Sequence, residues 1–151
     1  MTDLHSHAQA EADREAIWGL LVDHARMSRW MSRVWRSRLV TPGPDDRNGV
    51  GAIRTVMTVV GPVREEVTAF EPPEHLEYRW VADTPLVHGY HGSVDLTPVP
   101  GGGTEIDWDI SFQPQPRLVK ALVERLARFS TERFASDLAR AADTPRNREV
   151  A

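Results

Sequence analysis

The chain has 151 residues and a formal net charge of −4, with 40% hydrophobic and 26% charged residues, a balance that fits one folded domain rather than a disordered chain. It holds no cysteine, which excludes a disulfide scaffold, a thiolate nucleophile and any cysteine-ligated metal. A phosphate-backbone binder presents a basic patch; here the 18 basic residues are scattered among 22 acidic ones, so no nucleic-acid partner is expected.

Leu4 to Ala10 alternates weakly and reads as a first strand, with Leu4, Ser6, Ala8 and Ala10 on one face. Asp13 is placed to cap a helix over Arg14–His24, whose apolar residues Ile17, Leu20 and Leu21 recur at helical spacing. A second short helix is predicted over Ala25–Met31. The second strand is predicted over Val34–Val40, ended by Thr41-Pro-Gly-Pro-Asp-Asp46. The local basic run Arg29, Arg33, Arg36 and Arg38 reads as a solvated helix end and strand face.

Strands three, four and five are expected over Ala52–Val60, Val63–Phe70 and Leu76–Val81, divided by Gly61-Pro62 and Pro72-Pro73. Strand six spans His88–Thr97; counting by twos puts His88, Tyr90 and Gly92 on the face of Val94 and Leu96, and His91 on the other. Gly101-Gly-Gly103 is a hairpin rather than a phosphate cradle, because no helix follows it. Strand seven, Thr104–Gln113, alternates most cleanly: Ile106, Trp108, Ile110 and Phe112 against Glu105, Asp107, Asp109 and Ser111. One long helix is then predicted over about 115–142, with Leu118, Leu122, Leu126 and Phe129 on one stripe, and a polar tail over 144–151. At 1.5 Å per residue such a helix reaches roughly 40 Å, enough to cross a domain.

A meander that ends in one long helix implies a sheet curled around that helix, with room for a hollow between them. The residues expected to line it are Trp30, Trp80, Trp108, Phe112, Leu122, Leu126 and Phe129, with His88 and Tyr90 as polar groups able to orient a ligand. Met27, Met31 and Met57 add adaptable packing. One of Glu65 and Glu66 must face inward if its strand is regular, and pairing with Arg54 or Arg64 would then make a buried ion pair. Arg133, a turn beyond Phe129, is a further candidate for the cavity. His5 and His7 share a strand face, but no third ligand sits at a recognised spacing and His-Glu-x-x-His is absent, so no metal and no cofactor are expected. No motif marks a catalytic residue.

The order strand, two short helices, six strands, long helix resembles the helix-grip fold of the START-like (SRPBCC) superfamily, in its polyketide cyclase/dehydrase branch. The features that carry the resemblance are Ala16-Ile-Trp-Gly-Leu-Leu-Val-Asp23, Trp30, Gly49-Val-Gly51, Glu66-Val67 leading to Phe70-Glu-Pro-Pro73, and Thr104-Glu-Ile-Asp-Trp108. It implies an α+β domain over residues 1–143, a seven-stranded antiparallel sheet wrapped around the C-terminal helix, and a deep apolar cavity. The implied function is binding of a hydrophobic, lipid-like or polyketide-like molecule. The alternatives are a cyclase, aromatase or dehydrase acting in the same cavity, and a regulatory or toxin–antitoxin-type interaction protein. The amino terminus shows no basic region followed by an apolar run, and no apolar segment reaches the ~18 residues a bilayer needs. The reading is therefore a cytoplasmic protein without stable membrane insertion, as monomer or homodimer.

Overall fold

A computed structural model describes residues 1–144; the expected tail lies outside them from residue 145 on. Seven strands form one antiparallel sheet: β1 (Thr2–Ala10), β2 (Arg36–Thr41), β3 (Ile53–Thr58), β4 (Gly61–Glu71), β5 (His75–Trp80), β6 (Val87–Pro98) and β7 (Thr104–Pro114). Their order is β1-β7-β6-β5-β4-β3-β2, so consecutive strands pair from β2 to β7 and β1 closes on β7. The inner face carries Ile106, Trp108, Ile110 and Phe112 of β7, all essentially buried, together with Leu76 and Tyr78 of β5 and Val94 and Leu96 of β6. The alternation read from these strands is thus the alternation of inside and outside.

After β1 the chain forms α1 (Arg14–Leu21), capped by the Asp13 carboxylate, which accepts from the Ala16 N–H at 3.0 Å. It stops three residues earlier than expected, and the second predicted helix is a 3₁₀ segment over His24–Arg29. His24 is what ends α1: its side chain is fully buried and bonded to the Asn48 carbonyl and to Arg54. A polar anchor of that kind fixes the backbone more firmly than continued helical spacing does.

The predicted single C-terminal helix is two. A 3₁₀ turn at Arg117–Val119 leads into α2 (Lys120–Thr131), and after Glu132 and Arg133 the chain resumes as α3 (Phe134–Asp143). The break has a local cause. Ser6 of β1 places its hydroxyl in the ladder, accepting from the Ala135 N–H at 3.1 Å and donating to the Glu132 carbonyl at 3.4 Å. The Arg33 guanidinium donates to the Phe129 carbonyl and to the Glu132 carboxylate, the latter at 2.8 Å.

The two halves pack differently. α3 buries Ala135, Asp137, Leu138, Ala139 and Ala142, whereas α2 buries Val123 and Thr131. The Asp137 carboxylate accepts from the Ser32 N–H at 2.9 Å and its hydroxyl at 2.7 Å, and the Asp143 carboxylate accepts from the Ala12 N–H at 2.9 Å. Thus α3 is pinned to both connections that follow β1. Under α2, where few side chains reach the sheet, a hollow remains.

Candidate functional site

The hollow between α2 and the inner face of the sheet has a volume of about 370 Å³. Its walls are apolar: Met27, Met31 and Val34 from the segment after α1, Val56 of β3, Trp108 and Phe112 of β7, and Val123, Leu126 and Phe134 from the C-terminal helices. It reaches the surface between Val59–Val60 at the β3–β4 turn, Pro85–Leu86 before β6, and the Leu126–Ser130 side of α2.

Among the described lining residues two are charged, Arg54 and Glu65, and they form a pair. Strand alternation turns both inward, Arg54 between Ala52 and Val56 and Glu65 between Val63 and Val67. Glu66 points outward to Arg79 at 2.8 Å. The Glu65 Oε2 accepts from Arg54 Nε and Nη2, each at 2.7 Å. Arg54 Nη1 donates at 2.9 Å to His24 Nδ1, and the guanidinium carbon lies 4.8 Å from the Tyr78 ring centre.

This chain of contacts fixes the His24 tautomer. A guanidinium can only donate, so Nδ1 must accept and Nε2 must carry the hydrogen that reaches the Asn48 carbonyl at 2.9 Å. Burial, then the Arg54 charge, pushes the His24 pKa down to about 3, with the Asn48 carbonyl opposing. The imidazole is therefore neutral near pH 7.

Beside the ion pair stands an aromatic group. Tyr78 lies over Gly92 on the next strand, where even a single added carbon would sit 2.4 Å from its ring. Its hydroxyl accepts from Trp108 Nε1 at 2.9 Å. Tyr90 stacks on Trp80 with ring centres 4.3 Å apart. Burial raises both phenol pKa values, with the Tyr78 hydroxyl and the Glu65 carboxylate adding for Tyr90, so both phenols remain protonated at neutral pH. The Trp80 indole N–H is buried and has no hydrogen-bond partner among the described residues.

Of the nine residues expected to line the cavity, five do: Trp80, Tyr90, Trp108, Phe112 and Leu126. His88 does not. A bulge between His88 and His91, with Gly89 at φ +60°, adds one residue to β6 and reverses the count by twos, so Val87 turns in and His88 faces Asp83 at 3.6 Å. Leu122 and Phe129 lie on the outer side of α2, because the helix meets the sheet through Val123 and Ala127 instead; the Phe129 ring carries the Arg33 guanidinium 3.4 Å from its centre. Trp30 packs behind the wall, 6.5 Å from Trp108, and Arg133 is exposed. Sequence reasoning missed Tyr78, although its parity with Leu76 and Trp80 marked its face, and it missed His24, whose partners are distant in the chain.

Residues 1–143 match the family described as "Polyketide cyclase / dehydrase and lipid transport". The chain belongs to this family. The fold is shared with the ZhuI aromatase/cyclase from Streptomyces sp. R1128, at a TM-score of 0.81 and 10% identity over 94% of this chain and 93% of that one. It is likewise similar to a START superfamily protein from Mycobacterium smegmatis, at a TM-score of 0.73 and 14% identity over 99% of each chain. A third similar structure is from Thermus thermophilus, with a TM-score of 0.75 and 16% identity over 93% of this chain and 97% of that one. No curated protein matches. At these identities the structures establish the fold. Among the described residues no helix is long and apolar enough to cross a membrane.

Proposed function

We propose that this protein binds a hydrophobic small molecule that carries at least one polar group, lipid-like or polyketide-like, inside the cavity under α2. The observation that carries this reading is the cavity itself: an apolar chamber of about 370 Å³ whose only charged lining residues, among those described, are the Arg54–Glu65 pair. A chamber lined by well-formed side chains and reaching the surface suits a ligand rather than a packing defect. Burying ~200 Å² of ligand apolar surface contributes roughly 5 kcal/mol before the costs of association. The Tyr90 phenol and the unpartnered Trp80 N–H are donors suited to a carbonyl or hydroxyl oxygen of the ligand.

The test is native mass spectrometry of the protein from its own host, joined to titration with a fluorescent apolar probe. The expected result is a retained small molecule, probe uptake by the emptied protein, and loss of uptake in Ala127→Phe, which fills the chamber. A protein that arrives empty and ignores the probe overturns the reading.

A second reading is a cyclase, aromatase or dehydrase working in the same cavity, favoured by the likeness to the ZhuI aromatase/cyclase and by polar groups lining the chamber. Tyr90 is the candidate proton donor and Glu65 the candidate base, though Glu65 is held by Arg54. Turnover of the retained molecule, abolished in Tyr90→Phe with binding intact, would establish it; unchanged recovery of that molecule rejects it. The exposed apolar residues Leu118 and Leu122 on the α2 side would serve the interaction-module reading, which a stable complex with a second protein would support. We place the protein in the cytoplasm as monomer or homodimer on the same footing.

A further inference from the structure

The outer face of the sheet, opposite the cavity, carries a cluster that the cavity does not use. β1 and β7 pair so that His5 faces Asp109 and His7 faces Asp107 across the ladder. All four side chains stand on the solvent side, a third to a half exposed. One ring nitrogen each of His5 and His7 and an Asp107 carboxylate oxygen lie within 4.8 Å of one another. We propose that these three atoms form a surface site for a borderline divalent transition metal, of which Zn²⁺ is the type, with water completing the coordination.

Three features of the geometry point to it. First, bonds of about 2.0–2.1 Å from imidazole nitrogen or carboxylate oxygen to a tetrahedral zinc put the ligand atoms roughly 3.3 Å apart. His5 Nε2 is 3.3 Å and His7 Nδ1 is 2.9 Å from Asp107 Oδ1, so two of the three edges stand near that length before any ion arrives.

Second, His5 is oriented by its other nitrogen. Its Nδ1 lies 2.7 Å from Asp109 Oδ1, an arrangement in which Nδ1–H donates to the carboxylate and Nε2 keeps its lone pair. A carboxylate behind a ligating histidine fixes the ring and raises its basicity toward the metal. Third, all ligands stand on two paired strands, so their separation is set by the ladder rather than by a loop. Asp95 of β6, the ladder neighbour of Asp107 on its other side, already contacts His75 at 2.7 Å; it adds negative field and is not a ligand.

Spacing in the sequence concealed this site. His5 and His7 supply two ligands from one strand, and the third comes from a strand about a hundred positions later, paired with the first.

The test is calorimetric titration of the full chain with ZnCl₂ at about pH 7.5, repeated at about pH 5.5. The expected result is one saturable site per chain, with Kd in the micromolar order at the higher pH and at least tenfold weaker at the lower. His7→Ala and Asp107→Asn should each weaken binding at least tenfold, and His91→Ala, on the outer face of β6, should leave it unchanged. All these side chains are on the surface, so circular dichroism and probe uptake by the cavity should be those of the parent chain. Absorption of a Co²⁺-loaded sample in the visible range, lost in His7→Ala, gives a second readout. No saturable binding up to millimolar zinc, binding equally strong in His7→Ala, or an equal loss in His91→Ala overturns the proposal. None of these outcomes depends on what occupies the cavity.

Discussion

Arg54 and Glu65 form a buried pair in which each charge depends on the other. Two charges inside an apolar chamber are tolerated because each satisfies the other and because His24 and the Tyr78 ring complete the guanidinium's surroundings. Removing one partner strands the other. Arg54→Met should therefore destabilise the protein by about 3–5 kcal/mol in urea denaturation, while Arg54→Met/Glu65→Leu should recover most of that loss. His24 gives a pH signature. Its folded pKa, about 3, lies below its unfolded value, so the unfolded chain takes up the proton first as pH falls. The contribution is whole above about pH 6.5 and drains away toward about pH 3, amounting to roughly 5 kcal/mol at most. Urea midpoints measured between those limits should fall steadily with acid, and less steeply in His24→Gln. His75 works in the opposite sense: burial pulls its pKa down, but Glu77 and Asp95, at 2.9 and 2.7 Å, outweigh that and raise it. Its support is complete at acid pH and disappears as pH rises through the raised pKa. Gly92 completes the residue scale. Gly92→Ala puts a methyl where the Tyr78 ring lies, and should cost about 1–3 kcal/mol while shrinking probe uptake.

At the scale of elements, two interruptions of regular structure decide what faces the cavity. The bulge at Gly89 shifts β6 by one residue, which brings Val87 in and turns His88 out. The Ser6 hydroxyl divides the C-terminal helix and sends its halves to different tasks. Ser6→Ala leaves the Ala135 N–H buried without this acceptor and should cost about 1–3 kcal/mol, with faster hydrogen exchange at that amide. Neither interruption could be read by periodicity, since a period assumes that the count is unbroken. Seven strands, the inward and outward faces of all but the start of β6, and the capped first helix were legible, because alternation and turn residues are local properties. Of the residues that failed as lining, His88 is turned out by the bulge in β6, Leu122 and Phe129 stand on the side of α2 away from the sheet, and Trp30 packs behind the wall. Those found only in three dimensions, His24 and Tyr78, owe their roles to partners brought near by the fold.

For the molecule as a whole, the sheet separates two chemistries: an apolar chamber with a single ion pair on one side, and histidines set among carboxylates on the other. The chamber stays hollow because α2 is anchored weakly, by Val123 and Thr131, whereas α3 next to it contributes five buried residues. Local opening follows the contacts that oppose it, so amide protection should be graded along the C-terminal segment, low through Lys120–Thr131 and high through Phe134–Asp143. Hydrogen exchange read by mass spectrometry will show that gradient, and a retained ligand should flatten it. The division at Ser6 then has a kinetic consequence under the proposed binding function: opening of the outer helix alone, and not unfolding of the whole chain, should set the lifetime of a captured molecule.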